Sequence, residues 1–259
     1  MVGTGFAGVV EQIGDGVTQF KVGDRVYGET VFGFGANAEF ICVNEMKSII
    51  QMLPSFLSFK EAAPMCDGVL TSYNFLMDIG KLKKGQQVLI NGASGALGVA
   101  AVQIAKFTGA HVTAVCSADN EKMVKELGAD IVIDYHQKDF TSDVDLYDMV
   151  YDTVGKSSFA KTKKSLKKKG QYLSPVLSLS LLLTMMRTAI VGNKKAKFEA
   201  TGLKNSKVLV SFLKQLEPWI KKGKLKTIID REYRIEDISE AHAYLDSGRK
   251  KGNVILKFD

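Results

Sequence analysis

Val88-Leu89-Ile90-Asn91-Gly92-Ala93-Ser94-Gly95-Ala96-Leu97-Gly98 is the stretch that decides the fold. A short apolar run, of the kind a strand buried on both faces shows, ends in a string of small residues. An apolar stretch through Val99, Val102, Ile104 and Phe107 follows and stops near Gly109, so a helix is predicted there. In such a turn one glycine permits the tight bend. Another lets the backbone approach a pyrophosphate, and the last lets helix pack closely on strand. The helix N-terminus then offers free N–H groups and the positive end of its dipole to the phosphates. A second strand, His111 to Cys116, arrives on schedule, and this context predicts dinucleotide binding rather than a merely structural turn.

Outward from the turn, the alternation of strand and helix continues. Glu121 to Leu127 reads as a helix, with Glu121 and Lys125 at the i,i+4 spacing that suits opposite charges. Ile131 to Ile133 and Met149 to Tyr151 read as strands, Ser157 to Lys168 as a basic helix closed by Gly170, and Tyr172 to Val176 as a fifth strand. This is the rhythm of a parallel sheet with helices on both faces. The run Leu177 to Gly192, LSLSLLLTMMRTAIVG, is too short for a membrane span of ~20 apolar residues. It reads as a buried helix running into a strand, with an interfacial membrane or oligomer contact as the alternative. After about Asn193 the rhythm breaks. Val208 to Ile220 reads as one amphipathic helix, and Val254 to Leu256 as a last strand.

Upstream, VVEQIG (from Val9), RVYGET (from Arg25) and AEFICV (from Ala38) read as short strands, with a tight turn at Gly23-Asp24. Pro54 opens a stretch whose latter part has helical spacing up to Gly80. The expected boundaries are 1–60 for a β-rich part, 61–200 for the doubly wound domain and 201–259 for a return to the first part.

The 259 residues are 46% apolar and 24% charged, which excludes general disorder. Lys plus Arg is 35 against 28 Asp plus Glu, a net +7 that does not by itself indicate a nucleic-acid binder. Cys42, Cys66 and Cys116 lie far apart with no C-x-x-C pair, which argues against a zinc ribbon, a redox pair and a disulfide framework. The chain reads as reduced and cytoplasmic. His111, His136 and His242 are scattered, and none pairs with a cysteine at ligand spacing, so no metal site is expected.

The residue after the second strand bears on which dinucleotide is bound. An NAD enzyme usually has an acid there. Here Ser117 stands at that place and can accept a 2′-phosphate, with Lys122 the nearest cation. Asp119 opposes a phosphate, unless it is simply the N-cap of the next helix. The expectation is NADPH, with NADH open.

Several segments together resemble the zinc-independent quinone oxidoreductase branch of the medium-chain dehydrogenase/reductase superfamily. They are Phe6 to Glu11, Gly23-Asp24-Arg25-Val26, Val88 to Gly98, VTAVCS, LGADIVIDY, YDMVYDTVGKSSF, GKLKTIIDREY and AHAYLDSGRKKGNVIL. The chain is most similar to the group holding reticulon-interacting mitochondrial proteins, chloroplast-envelope quinone oxidoreductase homologues and bacterial NAD(P)-dependent alcohol dehydrogenases. The resemblance implies a Rossmann doubly wound sheet inserted in a GroES-like β-rich catalytic domain. Because family members carry more chain before the FAGVVE segment, a truncated GroES-like part is expected.

The resemblance also implies roles. Ser94, Ala96 and Leu97 would contact the pyrophosphate, Gly95 and Gly98 shape the turn, and Ala96 replaces a glycine usual in the family. Ser117 and Tyr135 would hold the adenosine phosphate, with Asn120 closing the Ser117-Ala118-Asp119-Asn120 segment that stands for the commoner Ser-Thr-Arg-Asn. Thr71 would lie close to the nicotinamide, Val154 in the loop flanking its ribose, and Lys251, Gly252 and Asn253 in a closing turn. No catalytic acid is named. Phe32, Phe34, Asn37 and Asp67 are candidates to approach the substrate pocket, with ordinary packing the stronger reading. The implied function is NAD(P)H-dependent hydride transfer to a quinone, enone or related carbonyl, by a homodimer with peripheral membrane contact as a further expectation. The alternatives are a cofactor-binding but catalytically weak partner or membrane-associated protein, and an RNA-binding relative. The lysine clusters lie on separate elements without interleaved aromatics, so nucleic-acid binding is not expected.

Overall fold

The computed structural model describes residues 3–30 and 34–258. Phe32 lies outside these. The chain forms two compact units, residues 71–201 and residues 1–70 with 202–259.

The continuous unit is built on six parallel strands. In chain order its elements are β4 (Gln87–Asn91), α3 (Ala96–Phe107), β5 (His111–Cys116), α4 (Glu121–Glu126), β6 (Ile131–Asp134), β7 (Tyr147–Asp152), α5 (Phe159–Thr162), β8 (Leu166–Leu173), α6 (Leu179–Ile190) and β9 (Lys195–Lys197). The sheet order is β6-β5-β4-β7-β8-β9. The chain therefore starts in the middle, winds one way, then returns to wind the other, which is the Rossmann order. Val88, Leu89 and Ile90 are all fully buried, as the unbroken apolar run required. The core gathers Leu89, Val115, Ile133, Tyr147, Val150 and Leu166.

Three expectations for this unit fail. The basic helix from Ser157 to Lys168 shrinks to α5, because Leu166 already pairs with Tyr147 of β7, so Lys167, Lys168 and Lys169 belong to β8. The register shifts past Lys167, and Lys169 takes a left-handed φ of 67° there. The rhythm also continues one step beyond Asn193, since β9 pairs with β8 as a sixth parallel strand. Finally, Leu177 to Gly192 holds a helix, α6, but not a buried one. Only Leu181 and Thr188 are buried, and its large apolar residues are mostly exposed.

The other unit holds a three-stranded antiparallel sheet of β1 (Gly5–Val9), β2 (Arg25–Glu29) and β3 (Ile49–Met52), and a parallel pair of β10 (Ile229–Arg234) and β11 (Asn253–Lys257). Its short helix α1 (Phe59–Ala62) carries a capping box, the Glu61 carboxylate accepting from the Ser58 N–H at 2.9 Å. The helix α2 (Gly68–Tyr73) carries the chain into the Rossmann unit. The long helix α7 (Ser206–Lys221) buries the stripe Leu209, Phe212, Leu213 and Leu216, and α8 (Ile238–Asp246) precedes β11. The expected strand at VVEQIG ends at Val9, and AEFICV forms no strand. The edge of β2 that AEFICV would need is taken by Ile49–Met52. The two chain halves of this unit are tied by Lys60 to Glu232 at 2.9 Å and by the Ser206 hydroxyl to the Met46 carbonyl at 3.1 Å.

Glu29 closes β2 in a largely enclosed setting. Burial pushes its carboxyl from 4.5 up to about 7, the negative Asp67 adds to the rise, and a hydrogen bond with Thr4 opposes it. The folded protein thus keeps a proton that the unfolded chain gives up near pH 4.3 (about the free Glu value). Stability falls as pH rises from about 4.3 through 7. Glu29→Gln is expected to flatten this part of a denaturation–pH profile, and an unchanged slope contradicts the assignment.

Candidate functional site

The order of the sheet places a crevice outside the carboxyl ends of β4, β5 and β7, where the winding reverses. The glycine turn fills the floor of this crevice. Gly92 has φ +79°, and the N–H groups of Gly92 and Ala93 donate to the Val115 carbonyl of β5 at 3.1 and 3.0 Å. Gly95 caps α3, and the first bond of that helix runs from the Val99 N–H to the Gly95 carbonyl. The N–H groups of Ala96, Leu97 and Gly98 stand ahead of it, free to meet an anion.

The two glycines of the helix start differ in what surrounds them. A methyl on Gly98 would collide with the Gly92 carbonyl oxygen and lie 2.6 Å from the Ala93 backbone, so the helix could not seat on the turn. A methyl on Gly95 would meet only the Gly92 carbonyl oxygen at 3.6 Å. The fold does not need Gly95 bare. Its openness leaves a cradle that a side chain would fill, which is what close approach of a diphosphate needs.

Beside the cradle sits a polar cluster. The Asn120 amide nitrogen donates to the Ser94 hydroxyl at 3.2 Å and to the Ser117 hydroxyl at 3.0 Å. With their oxygens so engaged, both hydroxyl hydrogens remain to be donated elsewhere. The Asn120 carbonyl oxygen is buried without a partner, an unusual state for a buried amide. Asp119 lies within the turn Ala118–Asn120, and Asn120, not Asp119, stands at the cap position of α4. Tyr135 is exposed just past β6, and its N–H donates to the Cys116 carbonyl at 3.3 Å, beside Ser117.

On the other flank, the loop after β7 is organised by Asp152, whose exposure is 0%. One carboxylate oxygen accepts from the Asn91 amide at 2.8 Å and from the N–H groups of Val154 and Gly155 at 3.2 and 3.1 Å. The other accepts from the Ser157 N–H at 3.0 Å and the Tyr172 hydroxyl at 2.9 Å. Burial and the neighbouring Asp152 push the Tyr172 hydroxyl pKa upward, so it stays a donor. The Thr153 hydroxyl then clasps the turn, donating to the Asn91 carbonyl at 2.7 Å. Val154 is left 43% exposed, against Gly92.

Among the sequence-derived candidates, the fold brings Ser94, Gly95, Ala96, Leu97, Gly98, Ser117, Asn120, Tyr135 and Val154 to the carboxyl ends of neighbouring strands. Thr71 lies on α2, and its neighbour Ser72, fully buried, donates to the Leu97 carbonyl at 2.8 Å. Lys251, Gly252 and Asn253 belong to the other unit. There the Lys251 N–H donates to Asp230 at 2.8 Å, Gly252 takes φ +71°, and the Asn253 amide nitrogen donates to the Ile228 carbonyl at 3.0 Å. Sequence reading missed Ser72 and the organising role of Asp152, and named Asn120 without its bridging contacts. A buried acid at the end of an apolar strand was the one available sign for Asp152.

Residues 127–256 match a family model described as zinc-binding dehydrogenase, and residues 1–54 match one described as alcohol dehydrogenase GroES-like domain. Among the described residues, no group of three or more His, Cys, Asp and Glu side chains is placed to hold a metal ion. The chain is 31% identical to a 2-methylene-furan-3-one reductase of Solanum lycopersicum over 96% of its own length and 61% of that protein's. It is 30% identical to the chloroplast envelope quinone oxidoreductase homolog of Arabidopsis thaliana, over 98% of its own length and 78% of that protein's. The quinone oxidoreductase of Escherichia coli, solved in complex with NADPH, superposes with a TM-score of 0.86 at 25% identity, covering 98% of this chain and 81% of that one. Together with the Rossmann order and the GroES-like segment, these matches show that the chain belongs to the quinone oxidoreductase branch of the medium-chain dehydrogenase/reductase superfamily.

Proposed function

We propose that the protein is an NAD(P)H-dependent oxidoreductase that reduces a quinone, enone or related carbonyl without a metal. The observation that carries this reading is the open cradle at Gly95, set between the free N–H groups of α3 and the Ser94–Asn120–Ser117 cluster. The residues fit a dinucleotide. Amides 96 to 98 and the Ser94 hydroxyl would hold the diphosphate. Ser117, with Tyr135 beside it, would hold the adenosine end. The loop Thr153 to Gly155, held by Asp152, would flank the nicotinamide ribose. Thr71 on α2 completes the proposed set in this unit. Bound there, the nicotinamide supplies the hydride. The chain's own contribution is orientation and exclusion of water. The zinc-independent part rests on His111, His136 and His242, which are exposed on separate elements.

NADPH is the favoured cofactor, because Ser117 stands where an acid would bind the 2′-hydroxyl. We expect Asn120→Ala to weaken NADPH binding by about tenfold, near 1.4 kcal/mol, by freeing both serine hydroxyls at once. Ser117→Ala should weaken NADPH more than NADH, and equal losses in the two titrations would remove Ser117 from the 2′-phosphate. A homodimer and a cytoplasmic location belong to the same proposal, the latter resting on three separated free cysteines. Among the described residues, no helix is long and apolar enough to cross a membrane. The test of activity is NADPH consumption across a panel of quinones and enones. Saturable turnover with at least one class is expected, and tight cofactor binding with no turnover on any would favour a cofactor-binding protein that works through partners.

A further inference from the structure

Past the loop that Asp152 organises, the Rossmann unit holds a second hollow of about 60 Å³, bounded by residues 155–184. It sits where the carboxyl end of β8 meets the starts of α5 and α6. A water needs ~10–15 Å³ of such space. The hollow therefore takes a few waters or one small tetrahedral oxyanion. The polar side chains lining it are all hydroxyls, with no carboxylate, amide or cation among them.

The Ser157 hydroxyl stands out among these. Its oxygen is buried and has no hydrogen-bond partner among the described residues. Buried polar groups are nearly always paired, so an occupant of the hollow is the partner this one lacks.

The neighbouring groups are rich in donors. The Ser158 hydroxyl oxygen accepts from the Lys161 N–H at 3.3 Å, and the Ser178 hydroxyl oxygen from the Leu181 N–H at 3.1 Å. Each keeps its own hydrogen to give. Ser178 is also the N-cap of α6, a helix of 12 residues. The first bond of that helix runs from the Leu182 N–H to the Ser178 carbonyl at 3.0 Å, so the N–H groups of Leu179 and Ser180 stand ahead of it. The positive end of the helix dipole favours negative charge at the same place. Asp152 touches the lining through the Ser157 N–H and the Tyr172 hydroxyl, but its two oxygens already take five donors. It does not claim the free serine hydrogens. A water would bring two more hydrogens into this surplus of donors, whereas an ionised oxyanion brings acceptors alone.

We propose that this hollow binds a phosphate-type oxyanion, held by the hydroxyls of Ser157, Ser158 and Ser178 and by the first amides of α6. The site is separate from the dinucleotide cradle at the end of β4 and does not depend on the cofactor reading above.

Calorimetric titration of the full chain with inorganic phosphate tests it, without and with saturating NADPH. Saturable binding that survives NADPH is expected, weakened at least about tenfold in Ser157→Ala, the effect of one lost hydrogen bond to a charged group. Binding that NADPH abolishes, or that Ser157→Ala leaves unchanged, puts the ion elsewhere and overturns the proposal. Absence of saturable phosphate binding overturns it as well. Should NADPH itself not bind, the function proposed above fails, and the Ser157→Ala comparison still decides this site. Glycerol 3-phosphate distinguishes the source of the ion. Tighter binding than phosphate supports the site as one for a phosphorylated metabolite, and weaker binding supports it as one for the free ion. A readout in the wild-type chain covers the case of a variant that does not fold. Phosphate is expected to slow hydrogen exchange in peptides spanning 157–161 and 178–182, and unchanged exchange where binding is shown overturns the location.

Discussion

Gly95→Ala is expected to weaken NADPH binding at least about tenfold, near 1.4 kcal/mol, while leaving stability within about 1 kcal/mol of wild type. The two halves of this outcome have separate causes. Gly95 has φ −79° and ψ 175°, a conformation open to alanine, and the added methyl meets nothing closer than 3.6 Å. The lost preference for glycine over alanine at an N-cap is offset by the restricted unfolded chain. The methyl nevertheless occupies the cradle where a diphosphate must come close to the backbone. Gly98→Ala supplies the contrast. Its methyl would press on the Gly92 carbonyl and the Ala93 backbone, neither of which can rotate away. We expect a stability loss of about 1–3 kcal/mol, the usual cost of overpacking, with binding lost because the turn itself has moved. Equilibrium denaturation and NADPH titration of both variants check the pair. Equal behaviour of the two would mean that Gly95 is bare for structural reasons alone.

Asp152→Ala should be the most destabilising single change in the Rossmann unit, since each buried donor left unsatisfied costs about 1–3 kcal/mol. The carboxylate is fully buried and takes five hydrogen bonds. Its removal strands the Asn91 amide, three backbone N–H groups and the Tyr172 hydroxyl. Asp152→Asn keeps the volume but turns half the acceptor into a donor, which in either orientation of the amide faces at least one backbone N–H, and it should recover only part of the loss. Tyr172→Phe removes one donor and should cost about 1–3 kcal/mol. Hydrogen exchange of residues 153–157 adds a local readout, since the loop should lose protection before the rest of the sheet. A loss below about 1 kcal/mol for Asp152→Ala, with loop protection intact, would show that the network does not hold this loop.

Much of the Rossmann unit was legible in the sequence because its physics is local. A doubly buried strand must be continuously apolar, as Val88 to Ile90 are, and a phosphate turn must be small, as Gly92 to Gly98 are. The failures arose where the outcome depends on a neighbour far along the chain. AEFICV has strand composition, but Ile49–Met52 holds the β2 edge it would need. The lysine run 167–169 has helical propensity, yet pairing of Leu166 with Tyr147 pulls it into β8. Periodicity showed that α6 has an apolar face, but periodicity cannot say what covers it. The site divides in the same way. Small residues at Gly95 and Gly98 follow from the turn's own requirements, while Ser94 was named through the family resemblance. The Asn120 bridge joins the turn to the end of β5, and the Asp152 network joins Asn91 to Tyr172 across three strands, so neither is written in any one segment.

The proposed function requires the backbone from Ser94 to Gly98 to hold the diphosphate of a pyridine dinucleotide. Hydrogen–deuterium exchange of the wild-type chain with and without saturating NADPH measures this most directly. Slowed exchange is expected in peptides spanning 92–98 and 117–120, and its loss in Gly95→Ala. Unchanged exchange in both segments at a concentration where NADPH is shown to be bound would contradict it.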